Sequence, residues 1–314
     1  MTDKYGFGQA LANPSDATVD IVFVHGLGGD RKKTWTADKT KHIPRETFWP
    51  QDLLPKACPT ARILSFGYNS SFVSFFPLVG SKAPVAKETT VDDYSSNLLH
   101  ELSTFRNRKE NSTPDDRPII FVAHSLGGLV VANAVARQHG IDSEAKKLSD
   151  NTVGMLFLGT PFEGAKKAEW GKLADRFKRI IPGIKTEDIK NLEERSAKLE
   201  SINIALNKYV KERDRDRTRR PLNIVCYFEE HPTYEAGLDI GKIVTKPSAT
   251  TIPAIPALSI DADHQDMCKF AGEFLRGYQS VSGQLVQWVK DLKKKLPADT
   301  DAANVVRLST DFHR

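Results

Sequence analysis

The stretch PIIFVAHSLGGLVV, from Pro118 to Val131, constrains the fold more than any other part of the chain. Ile119 to Val122 form a short apolar run rich in β-branched and aromatic residues, which is typical of a strand buried on both faces. The run AHSLG, centred on Ser125, follows, and then an apolar segment predicts a helix from Leu129 to Arg137. A G-x-S-x-G motif presents a nucleophilic serine in this strand, turn and helix context, here with Ala123 in place of the first glycine.

A turn of this kind strains the serine backbone and brings strand and helix close together, so its neighbours must be small. Gly127 and Gly128 meet that need fully, and Ala123 nearly does. The turn would place the Ser125 hydroxyl at the tip of the sheet, where a helix N-terminus favours developing negative charge. The alternative interpretation is an ordinary strand-to-helix turn that contains a serine.

The composition excludes several classes of protein. The chain has 314 residues, 39% of them hydrophobic and 27% charged, which is typical of a soluble globular protein. Its net charge is only +5, with basic and acidic residues interleaved, so we expect no nucleic-acid partner. Three widely spaced cysteines indicate a reducing compartment rather than a disulfide scaffold.

The N-terminus has no apolar signal-peptide core, and no run approaches the length of a membrane-spanning helix. We therefore expect a cytoplasmic protein, with peripheral contact to an intracellular membrane as an alternative. Phe72, Phe75 and Phe76 fit an acyl pocket, a membrane-facing surface or ordinary core.

Strand and helix patterns alternate along the first half of the chain. Strands are predicted at Val19–Val24, Ala61–Tyr68, Ile119–Val122 and Val153–Leu158, with a helix at Asp92–Arg106 before the third. Further strands are predicted at Leu222–Phe228 and Ala257–Ile260, with an extended segment at Gly241–Lys246 and a helix from Gln265 through Trp288. This alternation predicts an α/β fold with a mostly parallel central sheet and helices on both faces.

The pattern is purely helical from Ala165 to Val210. In an enzyme whose active site lies at the strand ends, such an insertion usually covers the entrance to that site. The alternative is that these helices pack elsewhere on the surface. We thus expect a single domain over residues 1–314, with a helical cap at about 162–220 and a loose tail at about 297–314.

A glycine-rich turn, HGLGGD, follows the first strand. The turn does not match the Walker phosphate-binding motif, because Asp30 and two basic residues follow Gly29. It does not match the dinucleotide-binding motif either, because no glycine stands three residues beyond Gly28. An H-G-x turn is the usual partner of a serine elbow, where it presents a backbone N–H to an oxyanion. The backbone N–H groups of Leu27 and Leu126 are the natural pair of donors.

A serine nucleophile needs a base and an acid that orients the base, in the chain order serine, acid, histidine. His264 follows the final strand in a polar loop and is the preferred base, and His231 is the alternative. The acid should lie at the tip of the preceding strand, where Glu229 and Glu230 both qualify. Other candidate acids are Asp239, Asp261 and Asp263.

The sequence also resembles the α/β-hydrolases, specifically the serine-active-site-containing protein family and its fungal serine esterase relatives. The matching segments are VDIVFVHGLGGD, FWPQDLLP, RILSFGYN, FVAHSLGG, LFLGTPFEG, YFEEHPT, KPSAT and ADHQDMCKF. The resemblance implies Ser125 as nucleophile, His264 as base, and Glu229 rather than Glu230 as acid. The family's glutamate directly follows the late strand and stands three residues before a Pro-Thr pair, here Pro232-Thr233.

These observations predict a serine esterase or lipase that works through an acyl-enzyme, with no cofactor and no metal. We expect its partner to be a small-molecule ester or a lipid. Two alternatives stay open: a catalytically silent binding or signalling module that keeps the fold, and a lipid acyltransferase.

Overall fold

A computed structural model describes residues 4–70, 90–111, 113–114, 116–162, 167–180, 192–250 and 255–292. The phenylalanines at positions 72, 75 and 76 and the predicted tail lie outside these residues. The strands, in chain order, are β1 (Gly6–Phe7), β2 (Val19–Val24), β3 (Thr36–Ala37), β4 (Thr47–Phe48), β5 (Ala61–Gly67), β6 (Ile119–His124), β7 (Thr152–Leu158), β8 (Asn223–Glu229), β9 (Thr233–Glu235), β10 (Leu238–Gly241) and β11 (Ala257–Ile260). The helices are α1 (Trp49–Asp52), α2 (Leu54–Ala57), α3 (Val91–Asn107), α4 (Gly127–Ala136), α5 (Ser143–Asp150), α6 (Lys167–Ile180), α7 (Leu192–Arg215) and α8 (Arg276–Asp291).

One seven-stranded sheet runs through the molecule in the order β1-β5-β2-β6-β7-β8-β11. β1 pairs antiparallel with β5, and the other neighbouring strands are parallel. The predicted mostly parallel sheet is therefore confirmed. Its carboxyl edge carries the ends of β2, β6, β7, β8 and β11, where the candidate residues lie.

Both faces of the sheet are buried. Along β2, Val22 and Val24 join one hydrophobic cluster, whereas Ile21 and Phe23 join a second cluster on the opposite face. Helices α3, α4 and α7 contribute side chains to the first cluster, and α1, α2 and α8 contribute to the second. This explains why the strands are apolar throughout rather than alternating, and it confirms helices on both faces.

The predicted helix start at Gln265 is wrong, because α8 begins only at Arg276 and the preceding residues form turns. The apolar side chains of this segment are buried because they pack on Trp49, and not because they line one face of a helix. The Trp49 indole donates a hydrogen bond to the Cys268 carbonyl at 2.8 Å, and its ring lies 5.2 Å from that of Phe270.

The expectation of an extended segment at Gly241–Lys246 is also wrong, since only Gly241 lies in a strand. Instead β9 and β10 form a hairpin that the pattern did not predict. Its turn contains Ala236 and Gly237, both with positive φ, at 49° and 80°. Such a turn matches the twist of two adjacent strands, and Gly237 was the one local signal for it, because Ala236 is an unusual residue at a positive φ.

The helical insertion is present as α6 and α7. Leu199, Ile202 and Leu206 of α7 belong to the first hydrophobic cluster, so this helix packs on the body of the fold. Arg213, which is buried, donates hydrogen bonds to the carbonyls of Asp150 (2.7 Å) and Thr152 (3.2 Å) and fixes the end of α7. None of the helices in the described residues has the length and apolar character needed to cross a membrane.

Candidate active site

Ser125 lies in the turn between β6 and α4, and only 2% of its surface is exposed. Its φ is 54°, a value rare for a residue that carries a Cβ atom. The Ser125 amide donates to the Leu158 carbonyl at 2.8 Å, so the pairing of β6 with β7 extends into the turn. This bond helps hold the strained backbone that the sequence motif predicts.

Glycines allow the turn after β2 to approach the turn at Ser125. A Cβ atom on Gly26 would lie 2.6 Å from the Ser125 Cβ, and one on Gly127 would lie 2.2 Å from the His25 carbonyl oxygen. Neither distance is a tolerable contact. The small residues of both motifs are therefore required by one interface between the two turns.

Replacement of Gly127 by alanine is expected to destabilise the fold by about 1–3 kcal/mol, because backbone atoms must move to admit the methyl group. Gly283 provides the matched control, since it lies exposed in α8 and a Cβ there meets nothing within 4 Å. Gly283→Ala is expected to stabilise the protein by about 0.5–1 kcal/mol through helix propensity. Urea unfolding of both variants measures the difference. Equal effects at the two positions would contradict the close approach.

His264 connects Ser125 to a buried carboxylate. Its Nε2 lies 3.0 Å from Ser125 Oγ, and its Nδ1 lies 3.3 Å from Glu229 Oε2. Glu229 is fully buried, and His264 is 2% exposed. With Nδ1–H donating to the carboxylate, Nε2 is free to accept the serine proton, and the carboxylate can then stabilise the imidazolium.

Glu229 is itself held by the backbone. Its Oε1 accepts a hydrogen bond from the Val244 amide at 2.7 Å, in the segment wrongly expected to be extended. The contribution of Val244 could not be found from sequence, because every residue except proline carries the same amide.

The alternative candidates lie elsewhere. Glu230 is exposed, although it directly follows Glu229. His231 pairs with Asp261 on the surface, with 55% and 75% of the side chains exposed. The Asp239 carboxylate accepts the Gly241 amide within β10, and the Asp263 carboxylate accepts the amides of Gln265 and Asp266.

His25 fixes the glycine turn that carries the amide of Leu27. Its Nε2 accepts the Tyr68 amide at 3.2 Å, and its Nδ1 donates to the Gly26 carbonyl at 3.0 Å. Burial lowers the pKa of His25 to about 4, so the ring stays neutral in this tautomer near neutral pH. The amides of Leu27 and Leu126 donate to no other residue that the structure describes, which leaves both available to a ligand.

A cavity of about 240 Å³ opens beside Ser125. Leu27, Phe177 and Ile180 provide apolar lining, and Lys33 and Lys269 lie on its polar side. The ring of Phe177, from α6, stands edge-on 5.6 Å from the His264 ring. The cavity therefore brings an apolar wall, the Ser125 residue and the glycine turn with Leu27 to one place.

Possible metal ligands and the cysteine beside the cavity can also be described for the part of the chain that the structure covers. No three His, Cys, Asp or Glu side chains are grouped there as metal ligands would be. Cys268 borders the cavity, but burial raises the pKa of its thiol to about 12. A thiol in that state is a poor nucleophile near neutral pH.

Comparisons with known proteins agree with this architecture. A sequence model of the alpha/beta hydrolase family matches residues 21–239. Protein SERAC1 of Danio rerio is 28% identical over 285 residues, and Protein SERAC1 of Homo sapiens is 24% identical over 284, each covering 86% of this chain. The matches cover 40% and 39% of those proteins, so the chain spans about two-fifths of the length of the curated relatives it matches.

Solved structures are similar at low sequence identity. A soluble variant of monoglyceride lipase from Saccharomyces cerevisiae, in complex with a substrate analog, is 12% identical, with a TM-score of 0.46 and coverage of 90% of this chain and 89% of that one. An esterase from Pyrococcus furiosus is 11% identical, with a TM-score of 0.44 and coverage of 88% and 83%.

Proposed function

The chain belongs to the alpha/beta hydrolase family, and we propose that it is a serine hydrolase that cleaves carboxylic esters through an acyl-enzyme. One observation carries the proposal: an unbroken chain of contacts runs from Ser125 through His264 to the buried Glu229. We assign these three residues as nucleophile, base and orienting acid. The amides of Leu27 and Leu126 are assigned to the oxyanion hole.

In the first half-reaction, Ser125 Oγ attacks the ester carbonyl carbon while His264 Nε2 takes the hydroxyl proton. The carbonyl oxygen becomes an oxyanion, which the two backbone amides stabilise by donating hydrogen bonds; one such donor is worth about 3 kcal/mol of barrier. Collapse of the intermediate breaks the bond to the alcohol oxygen, which receives the proton from His264. The acyl group is then bonded to Ser125.

In the second half-reaction, water attacks the acyl-enzyme and gives a proton to His264. Collapse of this intermediate releases the carboxylic acid, and the proton returns to Ser125 Oγ. The apolar lining by Leu27, Phe177 and Ile180 supports an acyl group of lipid-like character. Membership of the serine-active-site-containing family, a cap at about 162–220 and a cytoplasmic location stay predictions.

A fluorophosphonate probe combined with an ester panel tests the proposal. We expect the wild type to hydrolyse at least one short- or long-chain ester and to form a single covalent adduct, which mass spectrometry places on the peptide containing Ser125. Ser125→Ala should lose both the adduct and the hydrolysis while its unfolding curve is unchanged. A folded wild type that shows neither adduct nor hydrolysis would favour a silent binding module.

The choice of acid can be tested by two neighbouring substitutions. Glu229→Gln is expected to lower kcat by about 10³- to 10⁴-fold, because an uncharged amide no longer stabilises the imidazolium. Glu230→Gln is the matched control, since its carboxylate is exposed, and its kcat should stay near the wild-type value. Steady-state kinetics on one ester compares them. A comparable loss at both positions would argue against the assignment.

A further inference from the structure

We propose that His124, which precedes the serine, is a positioning residue that fixes the backbone of His264. The inference rests on the proposed function, in which the His264 imidazole moves the proton. It adds a residue to which the sequence analysis gave no role. The observation behind it is a hydrogen bond between His124 Nε2 and the His264 carbonyl oxygen, 2.9 Å long.

The strand places His124 to make this contact. It is the last residue of β6, and its neighbours Ile120 and Val122 on the same side of the strand join the second hydrophobic cluster. The turn segment after His264 packs on that same face through Met267 and Cys268. The ring of His124 therefore projects from the end of β6 toward the loop that carries the base.

The His264 carbonyl oxygen decides which ring nitrogen of His124 carries the proton. A carbonyl oxygen only accepts hydrogen bonds, so Nε2 of His124 must carry the proton. His124 as a residue is 8% exposed, and the centroid of its ring lies 5.0 Å from that of the His264 ring. Burial, with smaller effects from nearby His264, Lys269 and His25, holds the pKa of His124 well below its usual range. The ring thus stays neutral while the base beside it gains and loses a proton.

The loop at His264 needs such support. His264 lies in a turn, outside any helix or strand, yet its ring must reach Ser125 and Glu229 at the same time. Its carbonyl oxygen accepts from no other donor among the described residues. Without the His124 donor the turn can shift, and a displacement of about 1 Å in a reacting group can cost about 10²-fold in rate.

Two substitutions separate positioning from simple space filling. His124→Phe keeps a ring of similar shape and removes the donor, whereas His124→Gln keeps an N–H that can reach the same carbonyl. We expect kcat of the phenylalanine variant to fall by about 10- to 100-fold with little change in KM. The glutamine variant should recover most of that loss. Thermal unfolding of both variants reports on the fold.

The kinetic outcomes decide the inference where the wild type is active. A folded His124→Phe variant with wild-type kcat, or equal losses in both variants, would overturn it. A wild type that hydrolyses no ester and takes no fluorophosphonate would instead overturn the proposed function.

The hydrogen bond can be tested without activity, by ¹⁵N NMR of the histidine rings. We expect His124 to be in the neutral Nε2–H form near neutral pH, because burial lowers the pKa of its ring. An Nδ1–H tautomer would overturn the inference, because the His264 carbonyl oxygen then has no N–H donor on Nε2.

Discussion

Replacement of His264 by alanine is expected to lower kcat for ester hydrolysis by about 10⁴- to 10⁶-fold. The serine hydroxyl would keep its place but lose the group that accepts its proton, since Nε2 lies 3.0 Å from Ser125 Oγ. Steady-state kinetics on the best ester of the panel measures the loss. Fluorophosphonate labelling of Ser125 should fail as well, because it depends on the same activated hydroxyl.

His231 provides the matched control for this substitution. Both histidines follow late strands of the sheet and both contact a carboxylate, which made them rival candidates. The His231 side chain is 55% exposed, and its partner Asp261 lies on the surface. His231→Ala should therefore keep kcat near the wild-type value. A large loss at His231 together with a small one at His264 would refute the assigned base.

Replacement of Asp20 by asparagine is expected to lower the free energy of unfolding by about 3–5 kcal/mol. Asp20 is fully buried at the start of β2 and accepts hydrogen bonds from three arginines. Arg62 donates through two nitrogens at 2.9 and 2.6 Å, Arg106 at 2.9 Å, and Arg117 at 3.5 Å. Loss of the carboxylate would leave these guanidinium groups clustered without their counter-charge.

Graded variants keep this prediction testable even if Asp20→Asn folds poorly. Arg117→Gln removes the longest of the contacts, and its arginine side chain is 11% exposed, so the loss should be smaller. Glu273→Gln is the surface control, because its pair with Lys56 is largely exposed and should contribute about 0–1 kcal/mol. Urea unfolding ranks the three variants. A loss at Asp20 no larger than at Glu273 would contradict the prediction.

The Asp20 cluster lies at the amino edge of the sheet, opposite the carboxyl edge that carries Ser125. Folded Asp20→Asn should therefore hydrolyse esters with nearly unchanged kcat, in contrast to His264→Ala. Asp20→Asn should thus affect stability at one edge of the sheet, and His264→Ala should affect activity at the other.

Local sequence patterns predicted the sheet well, because a strand that is buried on both faces needs a continuous run of apolar residues. The β11 strand at Ala257–Ile260 has the predicted bounds, and the strand at Ile119–Val122 extends by two residues to His124. The positive φ of Ser125 likewise agrees with the small residues around it. These features depend on a few adjacent residues and need no knowledge of distant ones.

Predictions failed where contacts distant in sequence override the local pattern. The apolar residues after Gln265 mimic a helical stripe, but they are buried by packing on Trp49, more than two hundred residues earlier. The β9–β10 hairpin was missed because its strands are short and largely exposed. Glu229 and Glu230 are adjacent, and only the side-chain direction at the end of β8 buries one and exposes the other.

The sequence by itself determined the α/β class, the parallel strands and the serine turn, because buried strands and glycine-rich turns follow from neighbouring residues. The tertiary structure decided which distant groups meet. Ser125 and Glu229 reach His264 across 139 and 35 positions of chain, because parallel pairing brings the ends of β6, β8 and β11 to one edge. The tertiary structure also places the rings of His25 and His124 in the interior, where both are neutral hydrogen-bond donors. The direction and face of a strand decide where each side chain points.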